Sequence, residues 1–205
     1  MKPKSSANDG LLIVISAASG AGKSTLSREL MRRRRKLVFS ISVTTRMPRP
    51  GETDGRDYFF ITENAFKAMR RRGELVEWAV VHGHYYGTPR HFLERMRKAG
   101  NDVLLDIDVQ GAMAVKRLYP EAVLVFITTP TFADLERRLR RRSSESEAQI
   151  RQRLTDGRRE LRRLSAYDYE VVNDRVPHAV NQLEAILTAE RLRIRDRRTT
   201  IRRTR

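Results

Sequence analysis

Residues 11–30 read LLIVISAASGAGKSTLSREL, and no other stretch limits the fold of this chain so sharply. A short apolar run breaks into small residues, reaches Lys23-Ser24-Thr25 and continues with helical spacing. In such a strand–loop–helix unit the helix N-terminus points back at the turn, and glycines such as Gly20 and Gly22 let successive backbone N–H groups converge on one anion. Lys23 stands where a side chain reaches the outer phosphates of a nucleotide, and the Ser24 hydroxyl where it can ligate Mg²⁺. Ala17, Ala18, Ser19, Gly20, Ala21, Gly22, Lys23, Ser24 and Thr25 therefore form the expected phosphate cradle. The usual pattern places glycine where this chain has Ala17, and alanine suffices there if the local φ is negative.

The rest of the chain keeps a βα rhythm. The pattern predicts strands at 11–16, 38–43, 102–107, 122–127 and 169–172. Helices are expected at 23–34, 109–118, 131–141 and about 146–165, with a last one from about 176. The runs LLIVIS, DVLLDID and AVLVFIT hardly alternate, as expected when helices cover both faces of a parallel sheet. The fold class expected is α/β: a central parallel sheet flanked by helices. Residues 44–88 break the rhythm with turn-rich, aromatic sequence and a short helix at 63–72 ended by Gly73, which reads as an inserted, mostly antiparallel lobe. Thr88 and Pro89 read as the N-cap and first residue of a helix at 89–98 stopped by Gly100. The expected division is a disordered 1–9, a core at 10–43, the lobe at 44–88, core again at 89–136, a basic segment at 137–155 and a closing core segment at 156–205 with a basic C-terminal helix.

Composition bounds the function. A chain of 205 residues fits one elaborated domain, and 42 basic against 25 acidic residues give a net charge of +17. That field favours anionic partners. The charge is clustered at 32–36, at 137–142 and in the tail RLRIRDRRTTIRRTR, where solvated helix faces and a frayed end are the plain reading of the first and last. The tail permits non-specific nucleic-acid binding, but no RNA-stacking motif accompanies it, so nucleic acid is not required. No apolar run approaches the roughly 18–20 residues that span a bilayer, so no stable membrane association is expected. With zero cysteines the chain has no disulfide and no thiolate chemistry, which fits a cytoplasmic protein.

Two further segments carry chemistry. VLLDID at 103–108 ends in Asp106 and Asp108, and period two puts both carboxylates on one side of the strand. Carboxylates there imply a cation or an arginine partner, and Asp106 is the expected metal-organising group beside Ser24. Capping of the next helix stays open for Asp108. In SVTTRMPRPGETDGRDY, Arg46 and Arg49 lie close in a proline-stiffened turn near Tyr58, a fork suited to a monoester phosphate. The histidines at 82, 84, 91 and 178 have no metal-ligand spacing.

These segments, with ELVEWAVVHGHYYGT, LLDIDVQG and YDYEVVND in the same order, resemble the guanylate kinase family over roughly residues 11 to 175. The resemblance implies a P-loop kinase fold with a GMP-binding lobe at 44–88 and a short helical lid at 137–155. It also implies Mg²⁺-dependent transfer of the ATP γ-phosphate to GMP or dGMP, with ATP and GMP as partners; oligomeric state is not implied. By resemblance Arg46, Arg49, Tyr58 and Tyr86 hold the GMP phosphate, while Ser42, Glu77, Thr88 and Asp108 face the guanine, with Asp106 beside them. A carboxylate at Glu77 accepts from guanine N1–H and the 2-amino group, two donors that adenine lacks. Arg138 and Arg142, with Arg153 from the next helix, are implied for the transferring phosphates. Family members often carry glycine where this chain has Arg141 and Ser143, so its lid is expected to be stiffer and more basic. Asn173 resembles the residue that contacts the ATP adenine, a strand-end turn being the open alternative. A sugar-phosphate kinase of the same architecture would not need the guanine-reading set. A protein-interaction scaffold would lack a working phosphate loop.

Overall fold

The computed structural model describes residues 9–81, 83–141 and 146–193. Five parallel strands form the core sheet in the order β2-β7-β1-β8-β9. Their ranges are β1 Leu12–Ala17, β2 Leu37–Phe39, β7 Asp102–Asp106, β8 Val123–Thr128 and β9 Tyr169–Val172. The non-alternating runs are explained by what covers them. Ile13, Ile15, Val125 and Ile127 point to one face, where α1 (Lys23–Arg33) and α7 (Val176–Leu192) supply Leu26, Leu30, Leu183 and Leu187. Leu12, Val14, Val103, Leu105 and Leu124 point to the other, against Leu93 of α3 (Arg90–Lys98) and Ala112 and Val115 of α4 (Val109–Leu118). Each large aliphatic side chain withdrawn from water in this way contributes about 1.5–3 kcal/mol. Polar positions inside these strands would forfeit that, so both faces are apolar.

The second sheet has the order β4-β3-β6-β5, from β3 Val43–Thr44, β4 Phe59–Phe60, β5 Leu75–Val81 and β6 His84–Pro89. Only the β3–β4 pair is parallel, so the lobe is mixed. Its small core is Val43, Phe66 and Leu75, with Phe66 of α2 (Glu63–Arg71) stacked on Tyr85 at 5.0 Å between ring centroids. Thr62 caps α2 by accepting from the Ala65 N–H, and Gly73 at φ +67° ends the segment. The remaining helices are α5 (Phe132–Arg140), capped by Thr131, and α6 (Glu147–Leu161), which opens with a Ser146–Gln149 capping box.

Four expectations need correction. The strand expected at 38–43 is two strands in different sheets. The chain leaves the core sheet at Ser40, whose N–H donates to Leu104 O at 2.9 Å, and enters the lobe at Val43. Thr88 does not cap the next helix: its hydroxyl donates to Glu77 instead, and Pro89 is the last residue of β6 and the N-cap of α3. The helix expected to run to 165 stops at Leu161, where i→i+3 bonds take over and form a 3₁₀ turn at Leu164–Ala166. Asp106 and Asp108 do not share a strand face, because β7 ends at Asp106 and Asp108 caps α4 by accepting from the Gly111 N–H at 2.8 Å.

The 32–36 cluster is also more than a solvated face. Arg33 and Arg34 reach α7 through Glu184, Asn181 and Thr188, and Arg32 and Arg33 hold the Glu29 carboxyl down to about 2. Residues 1–8, His82, 142–145 and 194–205 lie outside the described residues. The expectations for the first residues, Arg142, Ser143 and the basic tail fall there.

Candidate active site

The centre of the sheet builds the phosphate loop. β1 lies between β7 and β8, and its last residue, Ala17, pairs with Ile127. The Ala17 backbone is therefore extended and needs no glycine. Gly20 and Gly22 carry the turn at φ +99° and +92°, where a side chain would be strained. Gly22 is the N-cap of α1 with no side-chain cap, and the first turn of α1 has no acidic residue. That leaves an uncompensated helix N-terminus over a cleft of about 270 Å³ lined by the loop, Asp108 and Glu160.

Sheet register fixes the next partner. Ile15 pairs with Asp106 across β1 and β7, which brings the carboxylate beside the loop. Lys23 Nζ forms an ion pair with Asp106 Oδ1 and donates to Ile107 O at 3.4 Å. Ser24 and Thr25 are exposed in the first turn of α1 and line the same cleft. Among the described residues no group of three histidine, aspartate or glutamate side chains is placed to hold a metal ion by itself.

The loop is braced from outside by residues expected to touch nucleotide. Asn173, buried after β9, donates through Nδ2 to Ala21 O at 2.7 Å. Arg138 of α5 donates to Asn173 O at 2.7 Å and to Ala21 O at 3.4 Å. Arg153 of α6 donates to Ser19 Oγ at 3.1 Å. All three thus converge on the loop, through its backbone or its serine.

Across the cleft the lobe presents a second set. Arg46 donates to both Glu52 oxygens at 2.8 Å and to Tyr86 Oη at 3.2 Å, under the rings of Tyr58 and Phe60. Glu52 also accepts from the Arg49 backbone N–H at 2.7 Å, and these two arginines, Arg46 first, hold its carboxyl at about 2. The Arg49 side chain is exposed. Burial raises the Tyr58 hydroxyl above its ordinary pKa. Deeper in, Thr88 donates to Glu77 Oε1 at 2.6 Å. The other oxygen, Oε2, faces Gly111, where a Cβ would lie 3.2 Å from it and 3.4 Å from Asp108 Oδ1. Burial first, then the nearby Asp108, raises the Glu77 carboxyl above the usual range. Ser42 is half-buried just before β3, its backbone O accepting from Phe59 N–H at 2.9 Å.

Two residues escaped the sequence reading. Glu52 orders the arginine turn, and its only sequence signal is a carboxylate six residues after Arg46. Glu160 lines the phosphate cleft from α6, and nothing local distinguishes it from a solvent-facing helix residue.

The guanylate kinase family model matches residues 10–190. A guanylate kinase of Desulfitobacterium hafniense is 47% identical over 188 residues, covering 92% of this chain and 94% of the relative. One from Rhizobium meliloti is 47% identical over 97% of this chain and 90% of its own length. The crystal structure of guanylate kinase from Anaplasma phagocytophilum superposes with a TM-score of 0.72 at 33% identity, covering 91% of this chain and 88% of that one.

Proposed function

The chain belongs to the guanylate kinase family, and from that premise we propose how its own residues transfer the ATP γ-phosphate to GMP, giving ADP and GDP. One observation carries the reading of the two subsites. The α4 N-terminal turn links the phosphate-loop cleft, which Asp108 lines, to the buried Glu77–Thr88 pair, which Gly111 touches. A donor phosphate site and a carboxylate able to read guanine thus share one short turn.

The loop N–H groups and Lys23 bind the ATP phosphates. Arg46, Arg49, Tyr58 and Tyr86 take the GMP phosphate, with Glu52 fixing the fork. Glu77, its Oε1 held by the Thr88 hydroxyl, accepts from guanine N1–H and the 2-amino group, and Thr88, Ser42 and Asp108 complete the base pocket for GMP or dGMP. Arg138 and Arg153, with Arg142, supply positive charge to the transferring phosphoryl group. The acceptor is already anionic, so no general base is needed and catalysis is positioning plus electrostatics. The donor set fits Mg²⁺, which takes few protein ligands and keeps substrate phosphates and water: the Ser24 hydroxyl and the Asp106 carboxylate would hold it. Bound there, the ion would supply positive charge to the ATP phosphates. A chain with zero cysteines fits a cytoplasmic enzyme, and no helix among the described residues is long and apolar enough to cross a membrane.

The test is ADP release across a panel of nucleoside monophosphates, with Lys23→Met as control. GMP-selective turnover is expected, and the variant should lose at least about a hundredfold in kcat with unchanged far-ultraviolet circular dichroism. Near-wild-type turnover by Lys23→Met would remove the phosphate-loop assignment.

A further inference from the structure

A buried amide holds the phosphate loop from behind. Asn173 follows β9, and its own N–H fixes it to the end of β8 by donating to Thr128 O at 2.8 Å. The residue is only 3% exposed. From that position Nδ2 donates to Ala21 O at 2.7 Å. Arg138 of α5 closes the arrangement, donating to Asn173 O at 2.7 Å and to Ala21 O at 3.4 Å. The amide also lies against Gly22, where an added Cβ would collide with Nδ2. The end of β9, helix α5 and the loop, far apart in sequence, thus meet on one carbonyl.

Peptide geometry says what this does to the loop. The Ala21 carbonyl and the Gly22 N–H belong to one planar trans unit, so they point in opposite directions. The carbonyl is turned to Asn173 and Arg138, neither of which is among the residues lining the phosphate cleft, whereas Gly22 is. The Gly22 N–H is thereby aimed into the cleft, and it donates to no backbone carbonyl among the described residues. Without an anchor the unit could turn over. Glycine adopts φ of either sign about equally, so rotation of Gly22 away from its φ of +92° meets no side-chain barrier. A turned unit would present a carbonyl oxygen to the phosphates in place of a donor.

We propose that Asn173 is a positioning residue for the donor triphosphate: it locks the Ala21–Gly22 peptide with its carbonyl outward and its N–H on the phosphates, and so sets affinity for the triphosphate whatever base is attached. The inference rests on the reading of this loop as the ATP cradle. Sequence resemblance places the same amide at the adenine, and the two roles part on a ligand that has no base.

The experiment uses the full chain as wild type, Asn173→Asp and Asn173→Ala. Aspartate keeps the shape and removes the donor, while alanine removes the amide without adding charge. Affinities for ATP, for inorganic tripolyphosphate and for GMP, the first two with Mg²⁺, are read by titration calorimetry, beside a thermal melt of each free protein. Both variants should lose about tenfold toward ATP and the same factor toward tripolyphosphate, the population change that one lost buried hydrogen bond allows. GMP affinity should stay at the wild-type value. Weaker ATP binding with tripolyphosphate binding unchanged would overturn the proposal and give Asn173 to the adenine. Equal losses for all three ligands would overturn it as a general effect on the fold, and wild-type ATP affinity in either folded variant would do the same. A wild type that binds ATP but not tripolyphosphate counts equally against it. A wild type that binds both and never phosphorylates GMP would instead overturn the proposed activity, with the calorimetric comparison still judging Asn173.

Discussion

Replacing Glu77 by glutamine tests base recognition most directly. Thr88 donates to Oε1 at 2.6 Å, and a glutamine oxygen would keep that bond. The hydroxyl thus pins the amide with its NH₂ where Oε2 now stands, on the side facing Gly111 and Asp108. Guanine would then meet a donor with its own donors. One hydrogen bond to a charged group is lost, about 1.5–3 kcal/mol, and a buried donor is left unpaired at about 1–3 kcal/mol. The sum, roughly 2.5–6 kcal/mol, corresponds to about 10²–10⁴-fold in kcat/KM for GMP. Adenine offers an acceptor at N1 and no 2-amino group, so AMP should hold its low activity or gain. Selectivity falls from both sides. The fold should not suffer, since a neutral amide also relieves the repulsion between Glu77 and Asp108. The assay is coupled ADP release with GMP and AMP, beside a thermal melt. A GMP-over-AMP ratio within about threefold of wild type, too small for one lost charged hydrogen bond, would sink the assignment of Glu77 to the base.

Two further outcomes follow from the same geometry. Gly22→Ala forces a side chain onto a backbone at φ +92° and into the Asn173 amide that braces Ala21. The strain of about 1–2 kcal/mol plus the lost bond should lower Tm by roughly 4–10 °C, measured by calorimetry, and an unchanged Tm would refute the bracing role. The raised Glu77 carboxyl makes two opposite pH trends. The native state holds its proton at pH values where the unfolded chain has released it, so this group's stabilisation is complete below the ordinary carboxylate pKa and lost as pH rises through the raised one. GMP recognition needs the ionised form, so KM for GMP should fall over that same window. Glu77→Gln should flatten the stability trend in denaturant titrations, and a slope identical to wild type would count against it.

The sheet was legible because burial on both faces leaves little freedom of composition. VLVFIT is buried at all six positions of β8, and only a central parallel strand asks for that. The break at Ser40–Ser42 was not legible. Ile41 continues the apolar pattern while the chain changes sheets, and sheet membership depends on Leu104, far away in sequence. Thr88 misled for a related reason. A threonine before proline at a helix start has good local chemistry as a cap, but a buried carboxylate eleven residues earlier made the stronger claim on its hydroxyl. Local propensity lost to a desolvated partner, as the relative energies of an exposed cap and a buried charged hydrogen bond lead one to expect.

In the candidate site spacing pointed to the phosphate loop and the arginine turn and the resemblance supplied the other positions, whereas their use of one another was not legible. A search for anion binders ranks lysine and arginine and passes over carboxylates, so Glu52 and Glu160 went unnoticed. Yet the cations here are already held: Lys23 by Asp106, Arg46 by Glu52, and Arg153 on Ser19. Long cationic side chains left free would have to be ordered when a phosphate arrives, at a cost of up to about 1.5–2 kcal/mol of rotamer entropy each. A phosphate oxygen accepts from the same cation as the carboxylate it replaces, so the exchange gives up little. Counter-charges therefore prepare the cations cheaply. Acidic residues beside a phosphate site are expected on that ground, and their removal should slow or weaken phosphate capture rather than strengthen it.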